Sequence, residues 1–391
     1  MTRAASGASA ATETVRAVHD AVGQARPALG AAPTLGFLFV SARHRLDVAL
    51  AAAREAAGCD VVGCTTAGEF TERGKTTGGV AVLLTTLDPQ AFAVTNATGV
   101  KADPAGAARQ LAGDFAGLMA SAARRGWGLS STVLLVDGLA GTGEVVVKEL
   151  LANTRAFQQV VGGAAGDDGR FKETWTGSTR QSGADAAVAV HVFGKTGWGI
   201  GVDHGLRPRS KTMTVTRADG NVLHELDGRP AIEAYQSYAK ERGVTLTPEN
   251  TGQFLIGNEL GVFFLNELHH ARAPVGVGPR GELKLVASIT QGAKVCILDG
   301  EPDSMVSAAG RAAEAAKAAL GDAPVAGVLV FDCICRGLIL DAAFQREIDA
   351  VRARFPDTPV AGFLTYGEIA RFRGKLDGWH NTTTVVLAIP A

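Results

Sequence analysis

VVGCTTAGEF (residues 61–70) and VAGFLTYGEI (residues 360–369) stand nearly a whole chain apart, and both read G-x-x-T-x-G-E. Gly63, Thr66, Gly68 and Glu69 match Gly362, Thr365, Gly367 and Glu368 at a constant offset of 299 residues (362 − 63). The flanks carry the match further. In the first copy the apolar run LGFLFVSARHR (35–45) precedes a predicted helix over Leu46–Ala57 and then CDVVGC (59–64). In the last copy VAGVLVFDCICR (325–336) precedes a predicted helix over Leu340–Arg354 and then PVAGF (359–363). Apolar runs of this length on either side of a helical pattern read as a β-α-β unit whose second strand ends in the polar turn.

A weaker third copy lies between them. STVLLVDGLAGTGEVVVKELLANTRAFQQVVGGAAGDD (131–168) again reads strand, Gly-bearing loop, helix, strand, acidic turn. Aligning Gly162 with Gly63 leaves Asp167 one residue short of the place of Glu69, and no Thr precedes it. An apolar strand follows each turn: GVAVLLTT (79–86), ADAAVAVHVF (184–193) and TTTVVLAI (382–389). The expected fold is therefore α/β, with mixed sheets and packed helices, built from repeated β-α-β-turn-β units with pseudo-symmetry. Three units at irregular intervals are too few for a solenoid.

Between the second and third units the pattern changes. KTGWGIGVDHGLRPRSKTMTVTRADGNVLHEL (195–226) alternates apolar and polar residues around a turn at ADGN, which predicts antiparallel strands. A helix is predicted from Pro230, since proline suits a first turn. GVFFLNEL and ELKLVASIT read as strands, and SMVSAAGRAAEAAKAAL as a helix capped by Asp303 or Ser304. The expected organisation is a frayed tail and a helix over Glu13–Gln24 within residues 1–30, an N-terminal domain over 31–229 and a C-terminal domain over 230–391.

Of the 391 residues 46% are hydrophobic and 20% charged, a globular balance that excludes a mainly disordered chain. The net charge of −1 gives no global attraction for nucleic acid or anionic lipid. No apolar run reaches the roughly 20 residues of a membrane-spanning helix, and the Ala/Ser-rich start lacks the core of a signal peptide. Five cysteines without framework spacing fit a reducing cytoplasm. Cys333 and Cys335 share a face if extended, but two thiols alone do not make a zinc site.

VVGCTTAGE, VDHGLRP, VTRADGNVLHELDGRPA, ITQGAKV, LVFDCICRG, GFLTYGEIA and WHNTTTVVLAI occur in this order from about Pro33 to the C-terminus. In these segments the chain resembles FIST proteins, an N-terminal followed by a C-terminal FIST domain. The resemblance implies a stand-alone prokaryotic sensor in signal transduction that binds a small ligand, an amino acid being one candidate. It also implies an alternative, since one branch is similar to haem-binding nitric-oxide sensors that partner histidine kinases. With no output domain among these residues, the output is expected to be a separate protein; a third reading is a ligand-free adaptor.

The candidate ligand contacts are Thr66, Gly68, Glu69, Thr365, Gly367, Glu368 and Arg336. A glycine in a turn lets backbone N–H groups approach a ligand, a carboxylate can hold an amino group, and the threonines add hydroxyls. Positive φ at the glycines and local pairing of the glutamates explain the same residues without a ligand. Arg336, placed at the end of an apolar strand, could meet a ligand carboxylate bidentately or pair with Asp332. His204 and His380 are the candidates for haem or ligand, against ordinary hydrogen-bonded loop histidines. His269 and His270 are adjacent and face opposite ways on a strand. Asp167 and Asp168 could bind a cation or stay in solvent. No G-x-S-x-G elbow, H-E-x-x-H or phosphate loop is present, so an enzyme is not expected; a Cys64 nucleophile rests on residue type alone.

Overall fold

The structure is a computed structural model and describes residues 1–154, 159–264, 267–372 and 378–391, with the side chains of 264–269 left aside. The first unit runs β1 (Ala4–Ser9), α1 (Thr14–Leu29), β2 (Leu35–Ser41), α2 (Leu46–Ala57), β3 (Asp60–Thr66), β4 (Glu69–Thr71), β5 (Gly74–Thr76) and β6 (Val80–Thr85). The second follows as β7 (Phe92–Thr98), α3 (Pro104–Leu111), α4 (Phe115–Arg124), β8 (Leu129–Val136), α5 (Gly143–Asn153), β9 (Gln159–Ala164), β10 (Thr176–Ser178), β11 (Ser182–Gly183) and β12 (Ala186–Gly194). The third starts at β13 (Gly199–Asp203) and is then interrupted by a lobe of short strands, β14 to β22, between Arg207 and Asp299, with α6 (Ala231–Glu241) and α7 (Pro248–Gly257). It resumes with α8 (Pro302–Ala319), β23 (Val325–Cys333), α9 (Ile334–Leu340), α10 (Gln345–Arg352), β24 (Val360–Thr365), β25 (Glu368–Arg371), β26 (Trp379–His380) and β27 (Thr384–Pro390).

Three six-stranded sheets have the same strand order. They run β1-β6-β2-β3-β10-β11, β7-β12-β8-β9-β25-β26 and β13-β27-β23-β24-β4-β5. Each is centred on the parallel pair that the β-α-β pattern predicts: β2 with β3, β8 with β9, β23 with β24. In each, the last two strands belong to another unit. The β4–β5 arm of the first unit extends the sheet of the third, the β25–β26 arm of the third extends that of the second, and the β10–β11 arm of the second extends that of the first. The strand exchange closes on itself.

The period-two pattern of the strands accounts for the packing. Phe37, Phe39, Leu135, Val161, Phe331 and Phe363 point to one core shared by the three sheets. Their alternates point outward under helices, Leu38 and Val40 to α1 and α2, Leu134 and Val136 to α3 and α5, Val328 and Val330 to α8 and α10. Both faces are buried, so the strands read as continuous apolar runs. At the centre the rings of Phe39 and Phe363 lie 4.7 Å apart and those of Phe331 and Phe363 5.8 Å. The aligned glycines Gly63, Gly162 and Gly362 sit opposite Leu38, Leu134 and Val330 on the first strand of each pair. A Cβ at any of them would overlap the carbonyl oxygen of that partner. The repeated glycine is a close-approach requirement of the strand pair.

Four local expectations are corrected. The N-terminal tail is not frayed: Ala4–Ser9 pairs along β6, and Gly7 lets α1 approach it closely. The first helix begins at Thr14, where the Glu13 carboxylate accepts the N–H groups of Val15 and Arg16, and continues through Pro27 to Gly30 at φ +65°. The helix expected over 340–354 starts directly after β23 and breaks at Asp341, so Arg336 lies in α9 and not on a strand. Glu301 precedes α8 and Pro302 fills its first turn, in place of a cap at Asp303 or Ser304. Around residue 230 the chain runs within the inserted sheet, where Met213–Asp219 and Val222–Leu226 pair with Lys294–Asp299 and Leu283–Leu285. No helix among the described residues is long and apolar enough to cross a membrane.

Candidate functional site

The turns of the repeated motif form the joints of the strand exchange. After β3, Ala67 N–H donates to the Leu364 carbonyl, and Leu364 N–H donates back to Gly68. After β24, Ala164 N–H donates to Gly367 and Tyr366 N–H to Ala164. After β9, Gly166 and Asp168 N–H donate to Thr65 and Thr66. Each turn is thus stitched to the neighbouring unit.

Within the joints after β3 and β24 the repeated spacing Thr-x-x-Glu closes a local bond. Thr66 Oγ1 donates to Glu69 Oε2 at 2.9 Å, and Thr365 Oγ1 to Glu368 Oε1 at 2.5 Å. The remaining lone pairs are also used. Glu69 Oε1 accepts Thr76 Oγ1 at 2.6 Å and Gly79 N–H at 2.8 Å. Glu368 Oε2 accepts Thr383 Oγ1 at 2.9 Å and Thr383 N–H at 3.0 Å. Both glutamates are fully buried. Desolvation raises both carboxyls, Glu368 to about 7, against the opposing hydrogen bonds. Gly68 has φ +141°, whereas the space a Cβ would need at Gly367 holds the Trp379 indole.

In the second unit Asp167 does the corresponding work. Its carboxylate accepts the Tyr366 hydroxyl and the N–H groups of Phe171, Lys172 and Glu173. Burial pushes its pKa up, but these four donors together outweigh burial and hold it below the usual carboxylate range. Asp168, in the left-handed region, accepts Ser41 Oγ at 2.8 Å and pairs with Arg170. Tyr366, which Phe171 stacks upon at 4.7 Å, was not among the sequence candidates, although it stands inside the repeated motif.

Arg336 has no exposed surface and all its valences point into the chain. Its guanidinium closes on Glu347 and lies 3.1 Å from Asp332. It also donates to the carbonyls of His204 at 2.6 Å, Met305 at 2.8 Å and Thr382 at 3.3 Å. His204 and Met305 flank the two points where the chain leaves for the inserted lobe and returns from it. Arg336 therefore braces the stem of the lobe and, in this arrangement, pairs with Asp332 and Glu347 in place of a ligand carboxylate. Beside it Thr382, at φ +56°, donates its hydroxyl to Glu259 of the lobe. Glu259 is buried, its Oε2 has no hydrogen-bond partner, and desolvation raises its carboxyl to about 8. Sequence reasoning missed Glu259; its one signal is a lone acid abutting the apolar run LGVFF.

Of the remaining candidates, His204 lies at the stem of the lobe and His380 pairs with Glu368 between β25 and β26. His204 Nδ1 accepts the Leu206 N–H at 2.8 Å. His380 faces the Ala370 carbonyl with Nε2 at 2.9 Å, which makes that nitrogen the protonated one, and its ring lies 5.8 Å from that of His270. The His269 side chain lies outside the described residues. Burial pushes the thiols of Cys64 and Cys333 well above their ordinary values, the reverse of what a thiolate nucleophile needs.

Comparison with known proteins agrees with this architecture. The FIST N domain model matches residues 34–229 and the FIST C domain model residues 231–371. An uncharacterized protein of Methanocaldococcus jannaschii, MJ1623, is 34% identical over 82 residues, which is 21% of this chain and 16% of that one. The aligned part thus spans about a sixth of that relative's length.

Proposed function

Because the chain belongs to the FIST family, we propose that it is a cytoplasmic sensory protein that binds a small ligand and passes its occupancy to a separate output protein, with a histidine kinase as the candidate partner. FIST domains are associated with the sensing of small ligands in signal transduction. The protein works by binding, not by catalysis. One observation carries the reading: Arg336 holds the carbonyls of both His204 and Met305 at the stem of the inserted lobe while pairing with Asp332 and Glu347 of the third unit. A ligand that changes how the lobe sits must work against this hub, and the hub touches the sheets that the joints lock together. Two packings of the stem, bound differently by ligand, are what a sensor requires.

The test is a thermal-shift screen of the full chain against small polar metabolites and haem, followed by hydrogen exchange on any hit. A ligand of the native state present at 100 times its Kd raises stability by about 2.7 kcal/mol. The expected result is a hit that changes exchange around residues 203–206 and 302–306. Hits that leave the stem unchanged, or no hit at all, sink the reading.

A further inference from the structure

The inserted lobe rests on the third unit through an apolar contact, where Ile256, Ala273 and Val286 of the lobe meet Cys333, Ile334 and Cys335. A hydrogen bond crosses the same junction out of reach of water: the Thr382 hydroxyl donates to Glu259, and the two residues are 0% and 1% exposed. Glu259 stands in the lobe between α7 and β18 (Leu260–Phe264), and Thr382 in the third unit between β26 and β27. The polar contacts at the rim are weaker in kind. There Ser288 and Arg272 of the lobe meet Glu144 of the second unit, whose side chain is 41% exposed.

Both ends of the buried bond are held against their preference. Thr382 is β-branched yet has φ +56°, a conformation that persists only where its surroundings impose it. Its hydroxyl is tied to Glu259 and its carbonyl to Arg336, and the next residue, Thr383, gives its N–H and hydroxyl to Glu368. Glu259 has that one hydroxyl and, among the described residues, no hydrogen-bond partner for Oε2. A charged carboxylate in such a place lacks the donors that would replace water.

Nor do the groups around it offer a free counter-charge. Glu368 on β25 repels a charge at Glu259, and Arg336 on α9 attracts it but is already closed on Glu347 beside Asp332. Tyr235 on α6 and Cys333 at the end of β23 are buried, and burial raises both well above their ordinary values, so they stay neutral. We propose that Glu259 is a latch worked by protons: protonated, it seats the lobe on Thr382, and on losing its proton it releases that contact, lets the Thr382 segment relax and opens the junction. This goes beyond the ligand reading above and does not depend on it. The docked carboxyl keeps its proton up to about 8, whereas one returned to water titrates near its ordinary 4.5. Between those values the docked form holds one proton more, so docking weakens by up to about tenfold for each unit rise in pH.

The experiment is hydrogen exchange of the full chain between about pH 5.5 and 8.5, each rate divided by the intrinsic rate at that pH. Protection at residues 256–262 and 379–384 is expected to fall roughly 100-fold from pH 6 to pH 8, while β2 and β8 keep theirs. Glu259→Gln should flatten the profile, because the amide does not titrate. Glu368→Gln should keep the slope but end it at lower pH, because the repelling charge is gone. His270 and His380 also meet at this junction, with rings 5.8 Å apart, and both are present in the variants, so a slope that belongs to them survives Glu259→Gln. A flat profile in the parent, a fall shared by β2 and β8, or a slope that persists in a folded Glu259→Gln variant overturns the latch. If Glu259→Gln does not fold, the parent and Glu368→Gln decide: a fall confined to the junction, ending at lower pH in Glu368→Gln, upholds it, and any other profile overturns it.

Discussion

The guanidinium of Arg336 is closed on the carboxylate of Glu347, and the side-chain exposures of the two are 0% and 1%. Asp332 lies on the other side of the same guanidinium. One cation therefore sits between two carboxyl groups that water cannot reach, and burial with the Glu347 charge raises that of Asp332 well above its ordinary value. Removing one partner of a buried pair costs about 3–5 kcal/mol, because the other charge stays desolvated. Arg336→Met should lower stability by that amount, and Arg336→Lys should restore only part, since an ammonium cannot span Glu347 and three carbonyls at once. Urea denaturation checks this; a Met variant within about 1 kcal/mol of the parent would show that the hub is not needed for the fold.

The repeated glycine makes a second test. Gly63, Gly162 and Gly362 each leave no room for a Cβ beneath the carbonyl of the adjacent strand. Gly63→Ala and Gly162→Ala should each force the parallel pair apart at a cost above the usual 1–3 kcal/mol of overpacking. Gly252, in α7 with open space around it, is the control, and alanine there should stabilise by about 1 kcal/mol. If all three changes behave alike, the glycines are not packing residues.

Much of this architecture was legible because the strands are buried on both faces. LGFLFVS, TVLLV and VAGVLVF can be only central strands, and the helix after each fixes a parallel pair. The exchange of arms was not legible. EFT and EIAR are too short and too ordinary to declare which sheet they join, and their partners lie hundreds of residues away. The same holds for the site. Thr66 with Glu69 and Thr365 with Glu368 were found by repetition, but nothing local said that their carboxylates are enclosed. Arg336 was found as a charge beside an apolar strand, yet its partners come from four other segments.

Enclosure changes what glutamate substitutions should do. Glu69 accepts hydrogen bonds from Thr66, Thr76 and Gly79, three donors that Ala cannot satisfy. Glu69→Ala should cost at least about 2 kcal/mol, since each buried donor left unpaired costs about 1–3 kcal/mol. Glu69→Gln keeps one acceptor oxygen for Thr76 and Gly79, and the Thr66 hydroxyl can rotate to accept from the amide, so about 1 kcal/mol is expected. Chemical denaturation of both variants decides it. Equal small losses would mean that the joint tolerates empty valences and that Glu69 serves something other than structure.

Glu259 offers a test by pH. Its carboxyl lies at about 8 in the native chain against an ordinary value of 4.5, chiefly through desolvation, with the Glu368 charge adding and Thr382 opposing. Between these two values the folded protein keeps a proton that the unfolded chain releases. Stability therefore falls as pH rises through this window, by up to about 1.4 kcal/mol per unit, and levels off above 8. Glu368, at about 7, contributes a slope of the same sign and is present in parent and variant alike. Glu259→Gln keeps a carbonyl to accept the Thr382 hydroxyl but buries an amide without a partner, so at pH 5 it should be less stable than the parent by about 1–3 kcal/mol. As pH rises to 8 the parent must either keep its proton at growing cost or bury a charge, while the amide does not titrate. The two stability curves should cross between pH 5 and 8, with the variant ahead at the alkaline end. Parallel curves across that range would place the Glu259 carboxyl at its ordinary value.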